Sequence, residues 1–145
     1  MEFIEVRNPP EFTMEVERWT RETDADGAAM AVVTGQLFNN TWFNKQENER
    51  RDSTALVTLA AGGWTGSAPP YVQSVAVAGA SAGGPDALLV NALEDGASLE
   101  VQKAYMKAFG IVSSGTAVLG DGVAVFKVYK RPETDITVGL RGVMP

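Results

Sequence analysis

Chemistry in this chain falls to carboxylates, lysines and a few aromatic rings, because its 145 residues include no histidine and no cysteine. Those absences remove the usual general base, the common metal ligands and the thiolate and Ser-His-Asp nucleophiles. Asp, Glu, Lys and Tyr are left for acid–base work. Glu94-Asp95, Asp121, and Glu133 with Asp135 could act in pairs, as in a glycosidase. Each sits beside Gly or Pro, where an acid serves turn formation for local reasons. Asp24-Ala25-Asp26-Gly27 starts like a calcium loop but lacks the later oxygen ligands and the distal Glu. Gly62-Gly63-Trp64-Thr65-Gly66 lacks the spacing of a phosphate loop. Gly79 to Pro85 leads into a strand pattern, where a phosphate cradle needs a helix N-terminus. No catalytic residue, metal or cofactor is therefore expected, and the chain reads as a non-enzyme. Trp64 and Tyr71 flank the turn Gly66-Ser67-Ala68-Pro69-Pro70. Rings so placed either stack on a ligand such as a sugar or cover the edge of a core or subunit interface.

Charge narrows the partners. Eighteen acids against 12 bases leave a formal net charge of −6. Nucleic-acid binding needs clustered cations, and only Arg50-Arg51 and Lys130-Arg131 are adjacent pairs, so no nucleic-acid partner is expected. No apolar run approaches the length of a membrane span, and no membrane insertion is expected. The opening Met1-Glu2-Phe3-Ile4-Glu5-Val6-Arg7 has acids where a secretory signal needs positive charge, so synthesis and folding in a cytosol are expected.

The elements that would carry these residues fall into three regions. Residues 1–27 form an N-terminal arm. Phe3 to Arg7 and Thr13 to Trp19 alternate as short strands or extended segments, broken by Asn8-Pro9-Pro10. Asp24 or Asp26 could cap the helix that follows. Residues 28–52 are the strongest helix pattern. Met30, Val33, Leu37, Asn40 and Asn44 make one stripe, and Ala31, Gly35, Phe38 and Trp42 a second, about 100° round. Two sticky faces imply that one packs on its own subunit and the other on a neighbour; a single wide core-facing surface is the alternative. Asn at heptad positions costs stability but sets register and oligomer state.

Residues 53–145 carry most of the strand signal. Strands are expected over 55–61, 71–78, 86–93, 111–119, 123–130 and 134–143. Tyr71, Gln73, Val75 and Val77 share one face of the second. Gly120-Asp121-Gly122 reads as a tight hairpin turn. A helix runs from its Ser98 cap to Phe109, with Gly110 ending it. The fold class expected is α+β: an extended arm, an oligomerising helix, and a small, mostly antiparallel β-rich C-terminal domain with one helix.

A resemblance rests on particular runs. Gly27-Ala28-Ala29-Met30 through Leu37-Phe38-Asn39-Asn40-Thr41-Trp42-Phe43-Asn44-Lys45 resembles the helical segment near the start of many tailed-phage fibre proteins. Thr41-Trp42-Phe43 stands where an acid and Tyr-Leu are more usual. The Trp64–Gly79 stretch, the later helix and Pro132-Glu133-Thr134-Asp135-Ile136-Thr137-Val138 resemble a small C-terminal module of phage and prophage virion proteins of Gram-positive bacteria. The resemblance implies a virion structural protein, a homotrimeric short fibre or a head or tail decoration. It implies an arm that attaches to capsid, portal or baseplate proteins, and a trimer interface around Met30, Val33, Leu37, Asn40 and Asn44. The alternative is a receptor-binding module of a phage tail that holds host cell-surface polysaccharide, with Trp64 and Tyr71 as ligand aromatics. The long repetitive shaft of a receptor-reaching fibre is missing.

Overall fold

The structure, a computed structural model, describes residues 9, 11–15 and 27–143. It is an α+β protein with two helices and two small antiparallel three-stranded sheets. Residues 1–49 and 50–145 form two compact units.

In the first unit the described elements are the segment 11–15 and most of helix α1, Gly27–Asp52. The expected strand over Phe3 to Arg7 and both cap candidates lie outside the described residues, and residues 13–15, the described part of the second alternation, carry no strand. Asn40 explains how this segment is held. Its amide Nδ2 donates to the Thr13 carbonyl at 2.9 Å, and its Oδ1 accepts from the Thr13 N–H at 2.7 Å. One side chain thus satisfies both backbone groups of one residue, as a neighbouring strand would. The Phe12 and Phe43 rings lie 5.6 Å apart and tilted by 56°, which adds an apolar contact beside the clamp.

The second unit is the β-rich module. Its strands are β1 Thr54–Leu59, β2 Tyr71–Ala76, β3 Leu88–Asn91, β4 Thr116–Gly120, β5 Val123–Val128 and β6 Ile136–Arg141. One sheet has the order β1-β6-β3 and the other β2-β5-β4, with every pairing antiparallel. Alternation decides what goes inside. Val57 and Leu59 of β1, Ile136, Val138 and Leu140 of β6, and Ala124, Phe126 and Val128 of β5 are all buried, in one cluster with Trp64, Val77, Ala108 and Val112. Helix α2, Leu99–Ser113, packs on β5 and β6, the central strands of the two sheets. Tyr105 fixes its position: the hydroxyl donates to Thr137 O and accepts from Ala92 N–H, both at 2.9 Å.

Several boundaries differ from the sequence expectation. Ser98 is the cap of α2, with its Oγ accepting from Val101 N–H at 3.3 Å. Gly110 does not end the helix, which continues a further turn to Ser113. Val112 continues the buried stripe of Ala108, and burying it outweighs the cost of about 1 kcal/mol for one interior glycine. Residues 111–113 are therefore helix, and β4 starts only at Thr116. The hairpin turn is at Asp121-Gly122, with Gly120 paired to Val123 and Gly122 at φ +71°. It is tied down by Val77 N–H to Gly122 O, Gly122 N–H to Ala80 O, and Ala82 N–H to the Asp121 carboxylate.

The chain joins helix to sheet without slack. Arg50 Nη1 donates to Gly142 O at 2.7 Å, Arg141 Nε to Arg51 O at 3.0 Å, and Arg141 Nη2 meets the Asp52 carboxylate at 3.0 Å. Ser53 Oγ reaches Val143 O at 2.6 Å. The last turn of α1 therefore belongs to the β-rich unit and is bound to the end of β6.

Candidate functional site

The five residues expected at a self-association face separate into two groups along α1. Met30, Leu37 and Asn44 lie within about 40° of one another at 3.6 residues per turn. All three are exposed, Met30 by 45% and Leu37 by 53%. Val33 and Asn40 flank this strip and are half-buried, and Asn40 is committed to the Thr13 backbone. Phe38, about 80° round from Met30, is 45% exposed. Trp42 is half-buried with the Lys45 ammonium 5.0 Å from its ring centre. Polar neighbours on the exposed strip are not idle: Thr34 and Thr41 donate back to the Met30 and Leu37 carbonyls.

Of the two readings open for Trp64 and Tyr71, ligand stacking or cover for a core, both rings follow the packing one. Trp64 is 4% exposed and belongs to the core, so neither ring face is left for a sugar. Its Nε1 is buried without a hydrogen-bond partner. That corrects the ligand reading for Trp64: an indole between two turns has enough apolar area to fill a small core. Tyr71 is half-buried, and the Arg131 guanidinium lies 4.4 Å over its ring while donating to Gly66 O at 2.5 Å. The guanidinium occupies the face that a ligand would use.

Three of the five candidate carboxylates are employed locally. Asp121 accepts from Ala82 N–H and Asp135 from Ala61 N–H, both at 2.8 Å. Glu133 pairs with Lys107 at 2.7 Å. The hydrogen bond from Lys107 and its charge, with a contribution from Lys130, hold the Glu133 carboxyl below the usual carboxylate range. Among the described residues no three Asp or Glu side chains gather to hold a metal ion. Nor, among them, is any helix long and apolar enough to cross a membrane.

Sequence reasoning missed one exposed cluster. Tyr129, one residue past β5, is 68% exposed. Two shallow depressions adjoin it and its neighbours. One, of about 320 Å³, is lined by Lys107, Gly110, Ile111, Ser114, Tyr129 and Lys130. The other, of about 290 Å³, lies across Lys107 and Ile111 and includes Lys103, Glu133 and Thr134. The signal was present in the alternation: Lys127 shares a strand face with Tyr129, and a charged residue marks that face as the wet one. A third and larger groove, about 440 Å³, runs between the 81–87 loop and β4, with Leu119 and Leu140 among its lining residues.

Comparison of the chain with family models, with curated proteins and with solved structures returned no match.

Proposed function

We propose that this protein is a bacteriophage virion structural protein that acts by self-association, as a homotrimeric short fibre or a head or tail decoration. The observation that carries the reading is the exposed strip of α1. A 26-residue helix, roughly 39 Å long, keeps Met30 and Leu37 on one side at a heptad interval, with Asn44 one heptad on and Phe38 beside them. Covering a Leu or Phe contributes about 1.5–3 kcal/mol, and a second and third copy of the same strip supply that cover in register. Asn44 at the next heptad position suits a small, fixed number of strands. The N-terminal arm serves for attachment to capsid, portal or baseplate proteins, the virion is the place of action, and no reaction is catalysed.

Light scattering and sedimentation of the full chain test this. The expected result is a trimer at micromolar concentration, reduced to monomer by Leu37→Glu with its circular dichroism retained. A wild-type monomer, or a Leu37→Glu variant that remains trimeric, would sink the reading. Receptor binding remains the second reading, favoured by the exposed Tyr129 and its lysines rather than by the buried Trp64.

A further inference from the structure

Three lysines, a tyrosine and two shallow hollows meet on one surface of the β-rich unit. Lys103 and Lys107 are one helical turn apart on α2, and Tyr129 and Lys130 follow directly on β5. The hollows share Lys107 and Ile111 and so form one continuous surface. Among the residues lining the hollows one carboxylate, Glu133, stands against the three ammonium groups, and it is bound to Lys107. Lys103 and Lys130 have no ion-pair partner among the described residues. This excess of positive charge occurs in a chain whose net charge is −6.

We propose that this surface binds an anionic sugar polymer. Each hollow, at about 290 and 320 Å³, sits at the lower end of the size range of small-ligand sites, which suits a sugar ring or two. The Tyr129 ring, most of it in solvent, offers the apolar face on which a sugar ring can stack. Ile111 supplies an apolar floor, and the Ser114 hydroxyl, which donates to Gly110 O, keeps lone pairs for a sugar hydroxyl. Lysine ammonium groups pair as point charges with either a carboxylate or a phosphodiester, so the anionic group is defined by its charge. A nucleic acid fits less well. The nearby arginine fork, Arg131, is engaged by Tyr71 and Gly66, and one exposed aromatic does not make the run of stacking platforms that single strands use.

The surface is separate from the α1 strip, so its test is independent of self-association. Full-length protein is titrated calorimetrically with hyaluronan, which carries carboxylates, and with phosphomannan, which carries phosphodiesters. Dextran serves as the neutral control and single-stranded DNA as the unrelated polyanion. Light scattering in the same solutions records the oligomeric state. The expected result is binding to hyaluronan or phosphomannan at least about tenfold tighter than to dextran or DNA. Raising salt from about 50 to 300 mM should weaken it. Tyr129→Ala, and Lys103→Gln with Lys130→Gln, should each weaken it about tenfold, with Tyr129→Phe retaining most of it. These side chains are exposed, and thermal melts check the fold; if Tyr129→Ala fails to fold, the lysine variant decides. No binding to either charged glycan, binding unchanged in the folded variants, or DNA bound as tightly as the glycans would each overturn the proposal.

Discussion

Two glycines of the second unit show how differently one residue type can be used. A Cβ at Gly115 would fall on the Lys127 carbonyl oxygen, because the chain leaving α2 passes directly against β5. At Gly110, inside α2, a Cβ would meet nothing within 4 Å. Gly115→Ala should therefore destabilise by about 2 kcal/mol or more, through a backbone that must move. Gly110→Ala should stabilise by about 0.5–1 kcal/mol, through helix propensity alone. Urea titrations of the two variants check both signs. Glu133 gives a pH prediction. Lys107 lowers its carboxyl in the folded state, so the contribution is present above the ordinary carboxylate range and is lost as pH falls through the lowered folded value. Melts of wild type and Glu133→Gln should differ most at neutral pH and converge in acid. The pair is exposed, so the difference should be small.

At the scale of elements, patterns repeated along a strand or helix were legible, and contacts between distant segments were not. The inner face of β2 through Tyr71, Gln73, Val75 and Val77 follows from alternation alone, as does the start of α2 at Ser98. The extension of α2 past Gly110 was hidden because a local glycine signal opposed a stripe whose burial depends on strands far along the chain. Tyr129 was hidden because alternation marks Ala124, Phe126 and Val128 as the inner face of β5 but does not say whether a neighbouring element covers the other face. Asn40 was legible as a special polar residue on the helix, but its partner, Thr13, lies 27 residues away. That clamp makes its own prediction. Asn40→Ala should free the Thr13 N–H, raising its hydrogen-exchange rate several-fold, while amides of β5 and β6 keep theirs. Unchanged exchange at Thr13 would show that the clamp is not formed in solution.

At the scale of the whole molecule, core and charge are unevenly divided. Every buried apolar residue among those described lies between Val57 and Val143. Residues 1–49 hold ten acids and four bases, whereas residues 50–145 hold eight of each. A fragment of residues 50–145 should therefore fold by itself, with a cooperative melt and sharp amide spectra, and should stay monomeric under conditions where the full chain associates. A molten or insoluble fragment would show that the second unit needs the first.

The join between α1 and the β-rich unit has a mechanical consequence. Arg50, Asp52 and Ser53 fasten the helix end to the strand at the centre of its sheet, and β1, which follows at once, lies antiparallel to that same strand over six residue pairs. A pull transmitted down the helix thus meets the Arg50, Asp52 and Ser53 contacts before it reaches the first rung of the β1–β6 ladder, Thr54 with Arg141.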